Sequence, residues 1–354
     1  MNRPDDVLGP LFEPFRLSSR LTLPNRIVLA PCTRNRATSD LAPTAGAVAH
    51  YRSRADAGLL ITEATLIARH VQGYINTPGI FLDTHVAAWA AVTDAVHRAG
   101  GRIFLQLWHP GRMAHSHFTG VQPLAPSAIL DPAPRRQVGV HHLWHEEPRA
   151  MSEAEIHSAI GEYGAAAARA RQAGFDGVEI HAANGYLPEQ FLRLHTNRRS
   201  DDWGGPPERR ARFGIEVVDA CCAEFGPGRV GLRVSPAAYF SEMRWTPGDN
   251  EALVHLLGEA ARREIAYAHC GIVEDGHYDY LSGTSSAFIR RHWPGGLIGN
   301  GGYSPQAAAE RIAAGAFDLI AFGKLFLANA DLVERLRSGA VLRPYDRSVL
   351  DEFT

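Results

Sequence analysis

His181, Asn184 and Tyr186 fall within six residues of one another, in the run His181-Ala182-Ala183-Asn184-Gly185-Tyr186. Where a strand turns into a helix, positions three apart face one direction, so His181 and Asn184 can both donate to a single ligand oxygen. Tyr186 adds a phenol, and a reference pKa of about 10 leaves such a group protonated at neutral pH and able to deliver a proton. Ala182, Ala183 and Gly185 leave a ligand room. A packed core histidine beside an ordinary turn is the competing reading. Arg233 lies inside the apolar run from Val230 to Val234. A buried guanidinium is costly unless an anion or carboxylate meets it, so an intrachain ion pair or a ligand must satisfy it. Two late turns, Gly299-Asn300-Gly301-Gly302 and Phe322-Gly323-Lys324, suit a phosphate. Gly301, Gly302 and Gly323 would offer backbone N–H groups, and Lys324 a point charge. Plain turns built with glycine would look the same.

Other chemistries find little support. The 17 histidines include His109, His115 and His117 in one loop, but no HExxH or carboxylate-supported ligand spacing appears, so no metal is expected. No GxSxG nucleophile elbow is present.

Positioning these residues requires an alternation of strands and helices. Continuous apolar runs, expected of parallel strands buried on both faces, fall near 27–31, 59–63, 103–108, 178–182, 230–234, 265–270, 296–299 and 319–323. Ser152 with Glu155 makes a capping box for the helix that follows, and Gly174 is placed to stop it. Pro207 suits the first turn of another helix, with Gly226 as its stop, and Ser304-Pro305 opens a third that ends near Gly315. Eight strands alternating with helices read as an α/β fold, a (β/α)8 TIM barrel forming a single domain over residues 1–354. An open doubly wound sheet is the runner-up, but no GxGxxG follows an early strand. Residues 110–149 lack periodicity and form a long loop insertion after the third strand, read as a lid or cap.

Barrels of this kind collect their active sites at the C-terminal strand ends, where the chemistry-bearing residues above all fall. Composition agrees with an enzyme of this size. The 354 residues carry 36 Lys+Arg against 38 Asp+Glu, a formal charge of -2, which argues against a nucleic-acid partner. No apolar stretch approaches the roughly 18–20 residues that span a bilayer, so no membrane partner is expected. The first residues do not read as a secretory signal, and four cysteines with no CxxC pair suggest no disulfide framework, so a cytoplasmic protein is expected. The sequence sets no oligomeric state.

Several motifs occur together and in order: Leu11-Phe12-Glu13-Pro14, Asn25 to Arg34 with Ala30-Pro31-Cys32-Thr33, and Gln106-Leu107-Trp108-His109. They continue with His181 to Leu187, Asn197 to Asp201, Gly204-Gly205, Arg233-Val234-Ser235-Pro236 and Ala321-Phe322-Gly323-Lys324. Over nearly its whole length the chain resembles the old yellow enzyme family of FMN-dependent ene-reductases. The resemblance implies FMN held noncovalently, with NADPH or NADH as reductant and small electron-poor alkenes as substrates. It also implies hydride transfer from flavin N5 to the alkene Cβ, with Tyr186 protonating Cα. By position, Ala30, Pro31, Cys32 and Thr33 would line the isoalloxazine, with the Thr33 hydroxyl on flavin O4. Ala64 and Gln106 would meet the polar edge, and Arg233 would lie near N1 and O2, where negative charge develops on reduction. Gly301, Gly302, Gly323 and Lys324 would take the phosphate. His181 and Asn184 would face both flavin and the substrate's activating carbonyl, with Tyr74 and Trp108 as pocket walls.

The chain departs from the family pattern in three places. Lys324 stands where arginine is usual, Cys32 replaces an apolar residue, and the tail after Leu342 lacks a Gly- and Tyr-rich segment. Two other functions compete. A phosphate-binding barrel lyase without flavin would want a lysine in the barrel mouth, and Lys324 is the only lysine in the chain. A non-catalytic flavin-binding redox sensor would bind FMN without turnover.

Overall fold

The computed structural model describes residues 7–130, 136–138, 141–240 and 243–350. Its centre is a closed parallel barrel of eight strands: β1 (Ile27–Leu29), β2 (Leu59–Ile61), β3 (Ile103–Trp108), β4 (Gly177–Ala182), β5 (Val230–Val234), β6 (Tyr267–Cys270), β7 (Gly296–Gly299) and β8 (Leu319–Phe322). Each strand pairs with its sequence neighbour, and β8 pairs back onto β1 with Phe322 opposite Leu29. Every residue of β3, β4 and β5 is buried, because side chains facing inward fill the barrel and those facing outward meet the helix layer. The expected strands are all present; four of the eight are shorter at an end, and β4 begins one residue earlier.

The helices include α1 (Ala45–Arg52), α2 (Asp83–Arg98), α3 (Glu153–Gln172), α4 (Pro207–Phe225), α5 (Asp249–Arg262), α6 (Ser285–His292), α7 (Pro305–Ala313), α8 (Lys324–Ala328) and α9 (Leu332–Ser338). The Ser152–Glu155 capping box opens α3, and Gly174 follows its end at φ 85°. Pro207 begins α4, which Gly226 terminates, and the Ser304 side chain caps α7.

Two glycines let the barrel close over large rings. A Cβ on Gly231 of β5 would lie 2.2 Å from Tyr267 Cζ, and one on Gly177 of β4 would lie 2.5 Å from Phe104 Cζ. Each glycine stands opposite that ring in the strand register. Phe104 and Tyr267 pack with Val28, Leu59, Ile298 and Leu319 in an interior layer. A hairpin of Phe15–Ser18 and Leu21–Leu23 belongs to the same cluster through Leu17, Leu21 and Leu23.

The insertion after β3 is not wholly irregular. Leu124–Ala125 pairs in parallel with Arg149–Ala150, and short strands Arg136–Val138 and His141–Leu143 pair antiparallel. Residues 131–135 and 139–140 of the expected 110–149 segment lie outside the described residues. Its start is bolted to the short helix Leu187–Leu192: Gln190 Oε1 accepts from Arg112 N–H at 3.1 Å, and Gln190 Nε2 donates to Pro110 O at 3.0 Å. The C-terminal segment returns to the end of β1, where Arg36 donates to Leu350 O at 2.9 Å.

Candidate active site

Inward-facing residues one step above the aromatic layer are polar. In a strand, alternate residues share a face, so Gln106 follows Phe104, Arg233 follows Gly231 and His269 follows Tyr267 into the barrel. Glu179 and His181 of β4 share that face. Gln106 Nε2 donates to Glu179 Oε1 at 2.7 Å, and His269 Nδ1 bonds Glu179 Oε2 at 2.8 Å. Burial alone would raise the Glu179 pKa, but His269, Arg233 and the Gln106 N–H together pull it below the usual carboxylate value. Burial keeps His269 below the usual histidine value, so it serves Glu179 as a neutral donor. The sequence reading missed Glu179 and His269 because it followed strand ends; the two-residue strand period from His181 would have found Glu179.

Arg233 is 6% exposed, and among the described residues it makes no hydrogen bond and no ion pair within 4.0 Å. Of the two readings open at the sequence level, the intrachain ion pair is absent. Gln106 Oε1 and His181 Nδ1 are also buried without partners. A guanidinium, an amide acceptor and an imidazole left unsatisfied together fit the polar, electron-rich edge of a planar heterocycle.

His181, 3% exposed, is held well below the usual histidine value by burial, with Arg233 and His269 alongside, and so is neutral. Its ring meets Tyr186 edge-on at 4.8 Å between centroids, Tyr186 meets Trp108 at 5.1 Å, and Trp108 meets Tyr74 at 5.3 Å. The ring contacts run in an unbroken series from His181 to Tyr74. Asn184 (φ 59°) and Gly185 (φ 76°) are both left-handed, which turns the chain sharply off β4 and makes Tyr186 the N-cap of the next helix. Gly185 N–H donates to Glu189 Oε2 at 2.8 Å, and Arg193 bonds Glu189 Oε1 at 2.9 Å within the fold. Gln190 Nε2 donates to Gly185 O at 2.6 Å. These supports escaped the sequence reading because their partners are set by tertiary structure.

Ala30 and Ala64 are buried at the ends of β1 and β2, Pro31 and Cys32 are half-buried, and Thr33 is exposed. Cys32 packs toward Gly323, where a Cβ would lie 3.0 Å from its Sγ, and burial raises its pKa, so it is a thiol. Gly301 (φ 132°) and Gly302 (φ 78°) adopt conformations that favour glycine, and a Cβ on Gly301 would strike Asp275 N at 2.6 Å. Among the described residues the N–H groups of Gly301, Gly302, Gly323 and Lys324 have no acceptor. They stand on adjacent strands, β7 and β8, which pair through Gly299 and Ile320. This double cradle suits a phosphate. Lys324 is exposed, its Nζ 5.7 Å from the centre of the Tyr345 ring in the returning tail. Among the described residues no hydrogen bond, ion pair or ring contact joins Thr33 or Lys324 to the His181 cluster. Among the described residues no group of three His, Cys, Asp or Glu side chains is placed to hold a metal.

A parallel barrel with a phosphate cradle on β7 and β8 and unsatisfied polar groups at its mouth defines a phosphate-tailed-cofactor enzyme, and the residues present fit FMN. The chain belongs to the NADH:flavin oxidoreductase / NADH oxidase family, whose pattern matches residues 10–342. It is 39% identical over 346 residues to 12-oxophytodienoate reductase 1 of Oryza sativa subsp. japonica, covering 96% of this chain and 89% of that protein. The solved structure of morphinone reductase with tetrahydroNAD superposes with a TM-score of 0.89 at 42% identity, covering 96% of this chain and 93% of that one. The old yellow enzyme from Trypanosoma cruzi superposes at 0.91 with 32% identity, covering 98% and 97%. The chain is thus a flavin-dependent oxidoreductase with FMN as cofactor and NAD(P)H as reductant, and the resemblance in its motifs holds.

Proposed function

We propose that this enzyme reduces activated C=C bonds of α,β-unsaturated carbonyl compounds and similar electron-poor alkenes, with named residues in distinct roles. FMN, when bound, would supply the hydride chemistry that links NAD(P)H to the alkene Cβ. Arg233 and Gln106 would hold its pyrimidine edge, Ala30 to Thr33 and Ala64 its ring, and Gly301, Gly302, Gly323 and Lys324 its phosphate. His181 and Asn184 hold the substrate's carbonyl oxygen. As negative charge grows on that oxygen, two preorganised neutral donors stabilise it; one such donor is typically worth about 10²–10³ in rate. His181 suits this role because burial keeps it neutral, so it donates a hydrogen bond without becoming an acid. Tyr186 delivers its phenolic proton to Cα. Tyr74 and Trp108 exclude water on one side, and the start of the insertion packs beside the same mouth through Arg112 and Gln190.

The observation that carries this reading is Arg233, a buried guanidinium that among the described residues has no carboxylate within 4.0 Å, sharing the barrel mouth with two neutral donors. A lyase without flavin leaves Arg233 unexplained, and a sensor has no use for the His181, Asn184 and Tyr186 set. No helix among the described residues is long and apolar enough to cross a membrane. The free cysteines Cys32, Cys221, Cys222 and Cys270 support a reducing compartment such as the cytoplasm. Purified protein is expected to be yellow, to bleach anaerobically with NADPH and to recover its colour with 2-cyclohexen-1-one or maleimide. A protein that stays colourless after incubation with FMN would refute the assignment.

A further inference from the structure

Asn184 can stabilise a developing oxyanion only with its amide turned one way. The –NH2 must face the substrate and the C=O must face the protein, yet the two ends have nearly the same shape. Something must therefore fix the rotation about the last side-chain bond. Tyr239, just beyond β5, donates its hydroxyl to Asn184 Oδ1 at 2.5 Å. The other group nearby is Ser235 Oγ, 3.5 Å from Oδ1. Its single proton is committed elsewhere, to Gly271 O at 2.6 Å, and its lone pair accepts the Asn184 backbone N–H at 3.2 Å. Ser235 thus anchors the Asn184 backbone and leaves the amide free to turn. Among the described residues Asn184 Nδ2 donates to no protein atom.

We infer that Tyr239 is a positioning residue: its hydroxyl locks the Asn184 amide with Nδ2 aimed at the substrate's carbonyl oxygen. The inference rests on the proposed role of Asn184 as a donor and adds the device that makes the donor reliable. Tyr239 is suited to this task because it is half-buried, packed against the core and next to Phe240 at 6.1 Å between ring centroids. Burial also raises its pKa, so the hydroxyl keeps its proton across the working range of pH. No comparable residue is needed at His181, whose ring is fixed by packing against Tyr186.

The test compares Tyr239→Phe, Asn184→Ala and the double variant as FMN-loaded enzymes. Tyr239→Phe is expected to lower kcat for 2-cyclohexen-1-one by about threefold to tenfold, the worth of one neutral hydrogen bond, with KM changing less. Binding of 4-hydroxybenzaldehyde, which has no reducible alkene, is expected to weaken by a similar factor in calorimetry. Oxidation of the reduced enzyme by ferricyanide, which needs no oriented donor, is expected to stay at the wild-type rate. In the Asn184→Ala background Tyr239→Phe is expected to have almost no effect, because the group it orients is gone. Equal losses in both backgrounds, or a parallel loss with ferricyanide, would show a merely structural role and overturn the inference. A silent Tyr239→Phe beside a clear loss in Asn184→Ala would overturn it alone. A silent Asn184→Ala would remove the donor assignment and this inference with it.

Discussion

At Arg233 a full positive charge sits 6% exposed at the top of the barrel, and the carboxylate of the same polar layer, Glu179, bonds Gln106 and His269 instead. The arrangement offers charge to something above it without neutralising that charge from below. A group that gains electrons on reduction is the natural complement, since its negative charge appears where the guanidinium already waits. The proposed proton donor is a separate group. Tyr186 is 8% exposed, wedged between His181 and Trp108. Replacing it with Phe keeps the aromatic packing and removes only the O–H. Tyr186→Phe is expected to lower 2-cyclohexen-1-one reduction by about 10²–10⁴, the usual worth of a general acid, while NADPH still bleaches the flavin at the wild-type rate. Stopped-flow measurement of the two half-reactions separates these effects. Unchanged alkene reduction would remove Tyr186 from the role of proton donor.

At the scale of the elements, the site depends on how tightly the strands come together. Gly231 and Gly177 have no side chain because Tyr267 and Phe104 occupy that space, and the polar layer of Gln106, Glu179 and Arg233 rests directly on those rings. Gly231→Ala is expected to destabilise the fold by about 1–3 kcal/mol, as overpacking of a filled core does. Urea denaturation would read this as a lower midpoint with an unchanged slope. A smaller side chain at Tyr267 should recover part of the loss, and a neutral Gly231→Ala would mean the interior is looser than the contacts show. The eight strands were legible because a parallel strand buried on both faces leaves an unbroken apolar run, and the helices because Ser152, Pro207 and Ser304 mark their starts. The strand-end residues followed from the barrel. What stayed hidden depended on pairing across the chain. Glu179 reads as a stray acid until the closed barrel brings Gln106 of β3 and His269 of β6 to it. Gln190, Arg193 and Tyr239 look like ordinary loop or helix residues until the turn at Asn184 is folded against them. The hairpin at Phe15–Leu23 is too short to show a period, and nothing local announces that Tyr345 returns to Lys324.

For the molecule as a whole, burial sets two kinds of titrating group against each other. His109 is pushed down to about 3 and His195 to about 4, and His181 also lies well below its usual value; in each, burial is the largest cause. Glu63 and Glu162 are pushed up to about 7, again by burial. A histidine whose folded pKa is depressed contributes stability that is present above about 6.5 and lost as pH falls. A carboxyl whose folded pKa is raised works the other way: its contribution is complete below about 4.5 and lost as pH climbs to its folded value. Between those limits these histidines, with His269 also depressed by burial, draw protons to the unfolded chain, while Glu63 and Glu162 hold theirs in the folded protein, so the two slopes oppose each other. Stability is therefore expected to rise from about pH 4.5 to 6.5 against the opposing pull of the two carboxyls, and to be lost further below about 4.5, where the histidines act unopposed by them. The surface carboxylate Glu155, held at about 2 chiefly by its hydrogen bond from Arg149, adds to the acid loss. Thermal midpoints of the FMN-loaded protein from pH 4 to 8 would give this profile. His109→Gln removes one depressed histidine, and its stability should change less with acid by about one proton, or roughly 1.4 kcal/mol per pH unit. If the variant instead tracks the wild type in parallel from pH 6.5 down to 4.5, His109 is not titrating between the two states, and its burial is not what makes the fold acid-sensitive.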